Sequence, residues 1–71
     1  MKRFGEKLRV LRKQHNLTII QLGDMLSVSY SYIGKMERGE KTPNVSMLIK
    51  IANTFNTTLD ALARDELELE D

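Results

Sequence analysis

Apolar residues recur at intervals of four and three near the start of the chain, at Phe4, Leu8 and Leu11, and so form one stripe of a helix predicted over Lys2 to His15. Asn16 is the expected stop. Leu17, Ile19, Ile20, Leu22, Met25 and Leu26 follow as a second apolar cluster. Thr18 and Gln21 there have the spacing of a capping box, and Leu17 and Leu22 that of a hydrophobic staple, so a second helix is predicted from Ile19 to about Leu26. Ser27 takes the turn, Val28 buries its side chain, and Ser29 offers a second cap hydroxyl. A third helix then runs from Tyr30 to Arg38 with Ile33 and Met36 inward, and Gly39 stops it because glycine tolerates a positive φ. After a loop to Pro43, Asn44 caps a fourth helix whose buried stripe is Val45, Leu48, Ile51, Ala52 and Phe55, ended by Asn56. Thr58 caps a short fifth helix that carries Leu59 and Leu62, with Asp60 in its first turn, where the helix dipole favours an acid. The pattern predicts an all-α chain, a compact bundle of about five short helices.

Two short helices joined by a tight polar turn, from Leu17 to Gly39, form a helix-turn-helix, the unit whose second helix enters a DNA major groove. The stretch Val28-Ser29-x-Ser31-Tyr32-Ile33-x-x-x-Glu37-Arg38-Gly39 resembles the phage-repressor and Cro class of regulators. The likeness runs from Phe4 to Leu62, taking in Leu8, Leu11 and Arg12 upstream and Pro43, Leu48, Ile51, Ala52, Leu59, Asp60 and Leu62 downstream. It implies a lambda-repressor-like DNA-binding domain over residues 1–65, followed by an acidic tail over 66–71. Two positions depart from the class: Ile19 stands where it usually has Gln, and Ser27 where it usually has Gly. The first removes a side chain that often touches phosphate. The second costs about 1 kcal/mol with Ser27 in a left-handed conformation.

A helix turns by about 100° per residue, so with Ile33 and Met36 inward, Ser31 and Arg38 point away from the core, with Lys35 beside them. Tyr30 and Gly34 lie on the other flank and Tyr32 at the boundary. The resemblance implies that Tyr30, Ser31 and Lys35 meet base edges. Lysine donates to guanine O6 and N7, serine donates or accepts, and an aromatic ring contacts the thymine methyl. It likewise implies phosphate contacts from Arg38, Lys41, Thr42 and Asn44. Ser29, at a helix N-terminus, and Gln21 join that set, with Gln21 equally suited to closing its capping box. Arg12 and Glu37 match a pair that forms an internal ion bridge in this class. Gly34, inside a helix, costs roughly 1 kcal/mol relative to alanine. Either it admits close approach of DNA, or that cost is simply carried.

Net charge is only +1, yet the chain is polarised. Residues 1–50 hold ten Lys or Arg against four acids, a balance of +6, and the remainder holds Arg64 against six acids, a balance of −5. A basic body suits a phosphate backbone. With 71 residues there is room for one domain with a small core, and no acid–base pair, nucleophile elbow or Gly-rich phosphate loop marks an enzyme. No cysteine and a single His15 leave no metal site or disulfide, and nothing indicates a cofactor. His15, near the end of helix one, suits the dipole there when protonated. No apolar run is long enough for a membrane, and the expected setting is bacterial or phage-related cytoplasm. Met25, Met36 and Met47 are expected to fill core gaps.

The expected partner is a double-stranded operator with an inverted repeat, bound by a homodimer acting as a repressor. Its two recognition helices would enter successive major grooves about 34 Å apart. The alternative is a protein-interaction module, an antitoxin or adaptor, favoured by the apolar Ile19 and Ile20 and the acidic tail. That tail, Glu66 to Asp71, alternates acid and leucine. It reads either as a solvated terminus or as an arm that joins a dimer contact.

Overall fold

Four of the five helices begin on a short polar side chain that accepts a backbone N–H from the first turn. The computed structural model describes residues 1–69 and places helices at α1 (Phe4–Gln14), α2 (Ile19–Leu26), α3 (Tyr30–Glu37), α4 (Val45–Phe55) and α5 (Leu59–Ala63). Thr18 accepts from the Gln21 N–H at 3.0 Å, Ser29 from Tyr32 at 3.2 Å, Asn44 from Met47 at 2.8 Å and Thr58 from Ala61 at 3.0 Å. At Thr18 the box is closed by Gln21 Oε1, which accepts the Thr18 N–H at 2.9 Å. The helices end equally locally: Asn16, Ser27 and Asn56 follow α1, α2 and α4 with φ of 56°, 60° and 54°, and Gly39 follows α3 with φ of 79°. Ser27 thus takes the left-handed turn expected of it.

Helix α1 is the exception, and it is shorter than the predicted Lys2 to His15. Arg3 at its start makes no side-chain cap. The cap comes from the far end of the chain, where the Asp65 carboxylate accepts the N–H groups of Lys2 at 2.9 Å and Arg3 at 2.8 Å. Those two N–H groups hold the carboxyl below the usual aspartate range.

The core joins all five helices. Leu8, Leu22, Leu26, Ile33, Met36, Ile51 and Leu62 are fully buried, with Phe4, Leu11, Leu48, Ala52 and Phe55 nearly so. Helix α3 packs against α2 and α1, while α5 bridges α4 and α1. Close approach is enforced by glycine at two places. A Cβ on Gly5 would stand 2.5 Å from the carbonyl oxygens of Met36 and Glu37, and one on Gly23 would stand 2.7 Å from that of Val28. The first lets α1 lie against the end of α3; the second keeps the α2–α3 turn tight.

Two apolar residues expected inside, Val45 and Met25, are outside. Val45 is 67% exposed, because it opens α4 beyond the reach of the neighbouring helices. Met25 is 50% exposed: Leu22 and Leu26 point into the core, and Met25 lies about 100° round the helix from Leu26. Leu59, at the first position of α5, is exposed while Leu62 takes the core. Of the other methionines, Met36 is buried and Met47 packs against the core partly covered. Leu17, Ile19, Val28 and Tyr32 also pack there half-buried. His15 caps the end of α1, its Nδ1 2.9 Å from the Leu11 carbonyl and its ring edge-on to Phe55 at 4.9 Å.

Of the tail, Leu69 packs against the core and Glu68 forms a two-pronged pair with Arg3 at 3.0 and 3.1 Å, so these residues fold back onto their own chain. Glu70 and Asp71 lie outside the described residues.

Candidate nucleic-acid interface

Burying Ile33 and Met36 on one side of α3 leaves Ser31 and Lys35 exposed on the other, and Tyr30 at its start is 62% exposed. Tyr32 lies half-buried at the boundary. The three residues expected at base edges are therefore all exposed, Ser31 and Lys35 opposite the core and Tyr30 on the flank. The helix is held beneath them by an ion pair. Arg12 Nε donates to Glu37 Oε2 at 2.7 Å and Arg12 Nη2 to Oε1 at 3.2 Å, with side chains only 11% and 7% exposed. Arg12 Nη1 also donates to the Leu17 carbonyl at 2.9 Å, so one guanidinium ties together α1, the start of the helix-turn-helix and the end of α3. Two desolvated charges offset much of their own attraction, and the gain is in orientation.

Among the expected phosphate contacts, Gln21, Ser29, Arg38, Lys41, Thr42 and Asn44 are all exposed. The caps spend acceptors and keep donors. Gln21 accepts through Oε1, Ser29 through Oγ and Asn44 through Oδ1, which leaves the Gln21 Nε2, the Ser29 hydroxyl hydrogen and the Asn44 Nδ2 to donate outward. A phosphate oxygen requires donors, and each of these stands at a helix start where the dipole also favours an anion. Gln21 therefore closes its capping box and still retains two N–H donors.

The loop after α3 folds back on it, with the N–H groups of Glu40 and Lys41 donating to the Lys35 carbonyl at 2.8 and 3.3 Å. Lys41 and Thr42 border a shallow recess with Lys2, Phe4, Gly5 and Pro43. A neighbouring recess between α1 and the end of α3 brings Lys2 and Arg9 beside Arg38. Neither Lys2 nor Arg9 stood out in the sequence, although both lie on the helix predicted over Lys2 to His15, seven residues apart. Arg38 Nε donates to Glu40 Oε2 at 2.6 Å. This contact raises the guanidinium pKa and, with a smaller contribution from Lys35, pulls the Glu40 carboxyl below its usual range.

Not every cation of the basic body faces out. Lys7 is 2% exposed and donates to the carbonyls of Ala61 at 2.6 Å and Arg64 at 2.8 Å, closing the end of α5. Lys50 Nζ likewise closes the end of α2 through the Leu26 carbonyl at 2.8 Å. Periodicity gave one clue, since Lys7 lies three residues after Phe4 and four before Leu11, beside the inward stripe of α1. Among the described residues, no group of His, Asp or Glu is arranged to hold a metal ion.

A helix-turn-helix family model matches residues 8–62. The chain is 43% identical over 63 residues to the HTH-type transcriptional activator BcrR of Enterococcus faecalis, covering 89% of this chain and 31% of that protein. It is 29% identical over 62 residues to the immunity repressor protein of Bacillus phage phi105, covering 87% and 43%. The chain thus spans less than half the length of these two relatives. Among solved structures, the P22 c2 repressor in complex with synthetic operator 9T superposes with a TM-score of 0.82 at 30% identity, over 89% of this chain and 96% of that one. With the family model covering most of its length, the chain belongs to the helix-turn-helix family.

Proposed function

We propose that this chain binds double-stranded DNA sequence-specifically as a transcriptional regulator, with α3 in the major groove. The observation that carries this reading is the division of α3, with Ile33 and Met36 sealed in the core, Ser31 and Lys35 open on the opposite side and Tyr30 exposed at its start. The P22 c2 repressor, of the same fold and bound to operator DNA, supports it. Base edges are read by Tyr30, Ser31 and Lys35. Phosphates are held by Ser29, Gln21, Arg38, Lys41, Thr42 and Asn44. The family to which the chain belongs is one of regulators, not of enzymes.

The binding form we infer is a homodimer on an inverted repeat, with half-sites about 34 Å apart, acting as a repressor by occupying a promoter. Exposed Val45 and Ile49, one turn apart on α4, supply apolar surface for a second copy. The same kind of surface at Ile20 and Met25 favours the second reading, a module that docks on another protein. Bacterial or phage-related cytoplasm is the setting that fits, and among the described residues no helix is long and apolar enough to cross a membrane. Selection from a random duplex pool tests the proposal: a palindromic consensus whose binding falls steeply with salt is expected. Recovery of no consensus, or affinity indifferent to salt, would favour the protein-docking module.

A further inference from the structure

We infer that Arg38 reads a base, and that Gly34 and Glu40 are the two devices that place it. The inference rests on the DNA-binding reading and goes beyond it by moving Arg38 from the backbone contacts to the bases. Arg38 is the residue that closes α3. Its side chain runs back along the helix. A Cβ built on Gly34 would meet Arg38 Nη1 at 3.0 Å, with Arg38 Cζ and Nη2 at 3.8 and 3.9 Å as its next neighbours. The guanidinium therefore lies over the turn before its own Cα, the direction helical side chains favour, in space that any residue but glycine would narrow. Gly34 is buried, and the atoms covering its missing side chain belong to Arg38.

Glu40 holds the other edge. Its Oε2 takes the Arg38 Nε–H at 2.6 Å and leaves the paired Nη groups directed over α3. This places a two-pronged donor on the row Tyr30–Gly34–Arg38, next to Ser31 and Lys35. Such a fork matches guanine O6 and N7 in the major groove, a match that a phosphate does not require. The glycine in mid-helix thus gains a purpose: it clears a path for a side chain of its own helix.

The test is binding-site selection on the full chain, with affinity measured for the wild type and for Arg38→Ala, Gly34→Ala and Glu40→Gln, each checked for folding by thermal melting. In the wild type, replacing one guanine of the consensus should weaken binding by about tenfold. Arg38→Ala should abolish that preference and leave the other positions intact. Gly34→Ala should reduce the preference at the same base pair while keeping the arginine. Glu40→Gln should bind all duplexes more tightly, having lost an anion, yet discriminate less at that pair. An Arg38→Ala protein that loses affinity evenly across sequences, with a shallower salt dependence, overturns the assignment and leaves DNA binding standing. A wild type that selects no duplex overturns both.

Discussion

On the outer side of α3, Ser31 and Lys35 stand exposed, while at the seam between α1 and α5 the same kinds of group are consumed within the molecule. Lys7 closes α5, Asp65 caps α1, and Arg3 pairs with Glu68. The difference teaches that a charge count describes supply rather than surface. Of the ten cations in residues 1–50, Arg3, Lys7, Arg12 and Lys50 are committed to partners elsewhere in the fold, and Arg38 to its neighbour Glu40. The acidic tail, which keeps net charge near zero, is committed in part to one of them. Exposed positive charge is therefore left at Lys35, the loop after α3 and the exposed edge of α1, although net charge is only +1.

Four experiments break or sharpen that contrast. The largest effect belongs to Glu37→Gln, which leaves Arg12 buried without a counter-charge and should destabilise the fold by about 3 kcal/mol in urea denaturation. A change near zero would mean that the pair neither holds α3 nor matters to folding. Next comes Lys7→Met, which keeps the bulk but strands the carbonyls of Ala61 and Arg64, at a cost of about 2 kcal/mol in the same assay. DNA affinity measured on the protein that remains folded should stay as it was, because Lys7 belongs to the consumed set.

Lys35→Ala should behave in the opposite way. Stability should hold within about 0.5 kcal/mol, as for most exposed positions. Discrimination at one base pair should fall by about 1.5 kcal/mol. An equal loss on every duplex would place Lys35 on phosphate. The smallest effect is one of pH. Asp65 and Glu68 have depressed carboxyl pKa values because N–H donors and Arg3 favour their charged forms. Such acids stabilise the fold above their unfolded values and lose that contribution as pH falls through the folded ones. The amide resonances of Lys2 and Arg3 should accordingly shift with a midpoint below 3.8, the ordinary aspartate value, while those of Ser31 stay put. A midpoint at or above that value would show the seam to be open in solution.

The helix boundaries were legible because their causes are local. A capping box, three further caps and positive-φ residues at the ends act within four residues of one another, and the predicted α2 and its turn agree with the structure residue for residue. The inward face of α3 was legible for the same reason, since two apolar residues three apart fix an orientation. Errors came where the outcome depends on what stands opposite. Val45 and Met25 satisfy helical periodicity but stand exposed. The start of α1 was misplaced by two residues because its cap, Asp65, lies 62 positions from Arg3 along the chain.

From order and spacing alone follow five helices, their caps, the helix-turn-helix and which side of α3 is free, because hydrogen bonds and periodicity within a few residues determine each of them. Only the packed structure decided which cations are spent and which remain: Lys7 inside, Lys35 outside, Arg38 turned back over Gly34. The reason is that a lysine or arginine is long enough to seek a distant partner. Whether it finds one depends on contacts between residues far apart in sequence, which no local pattern encodes.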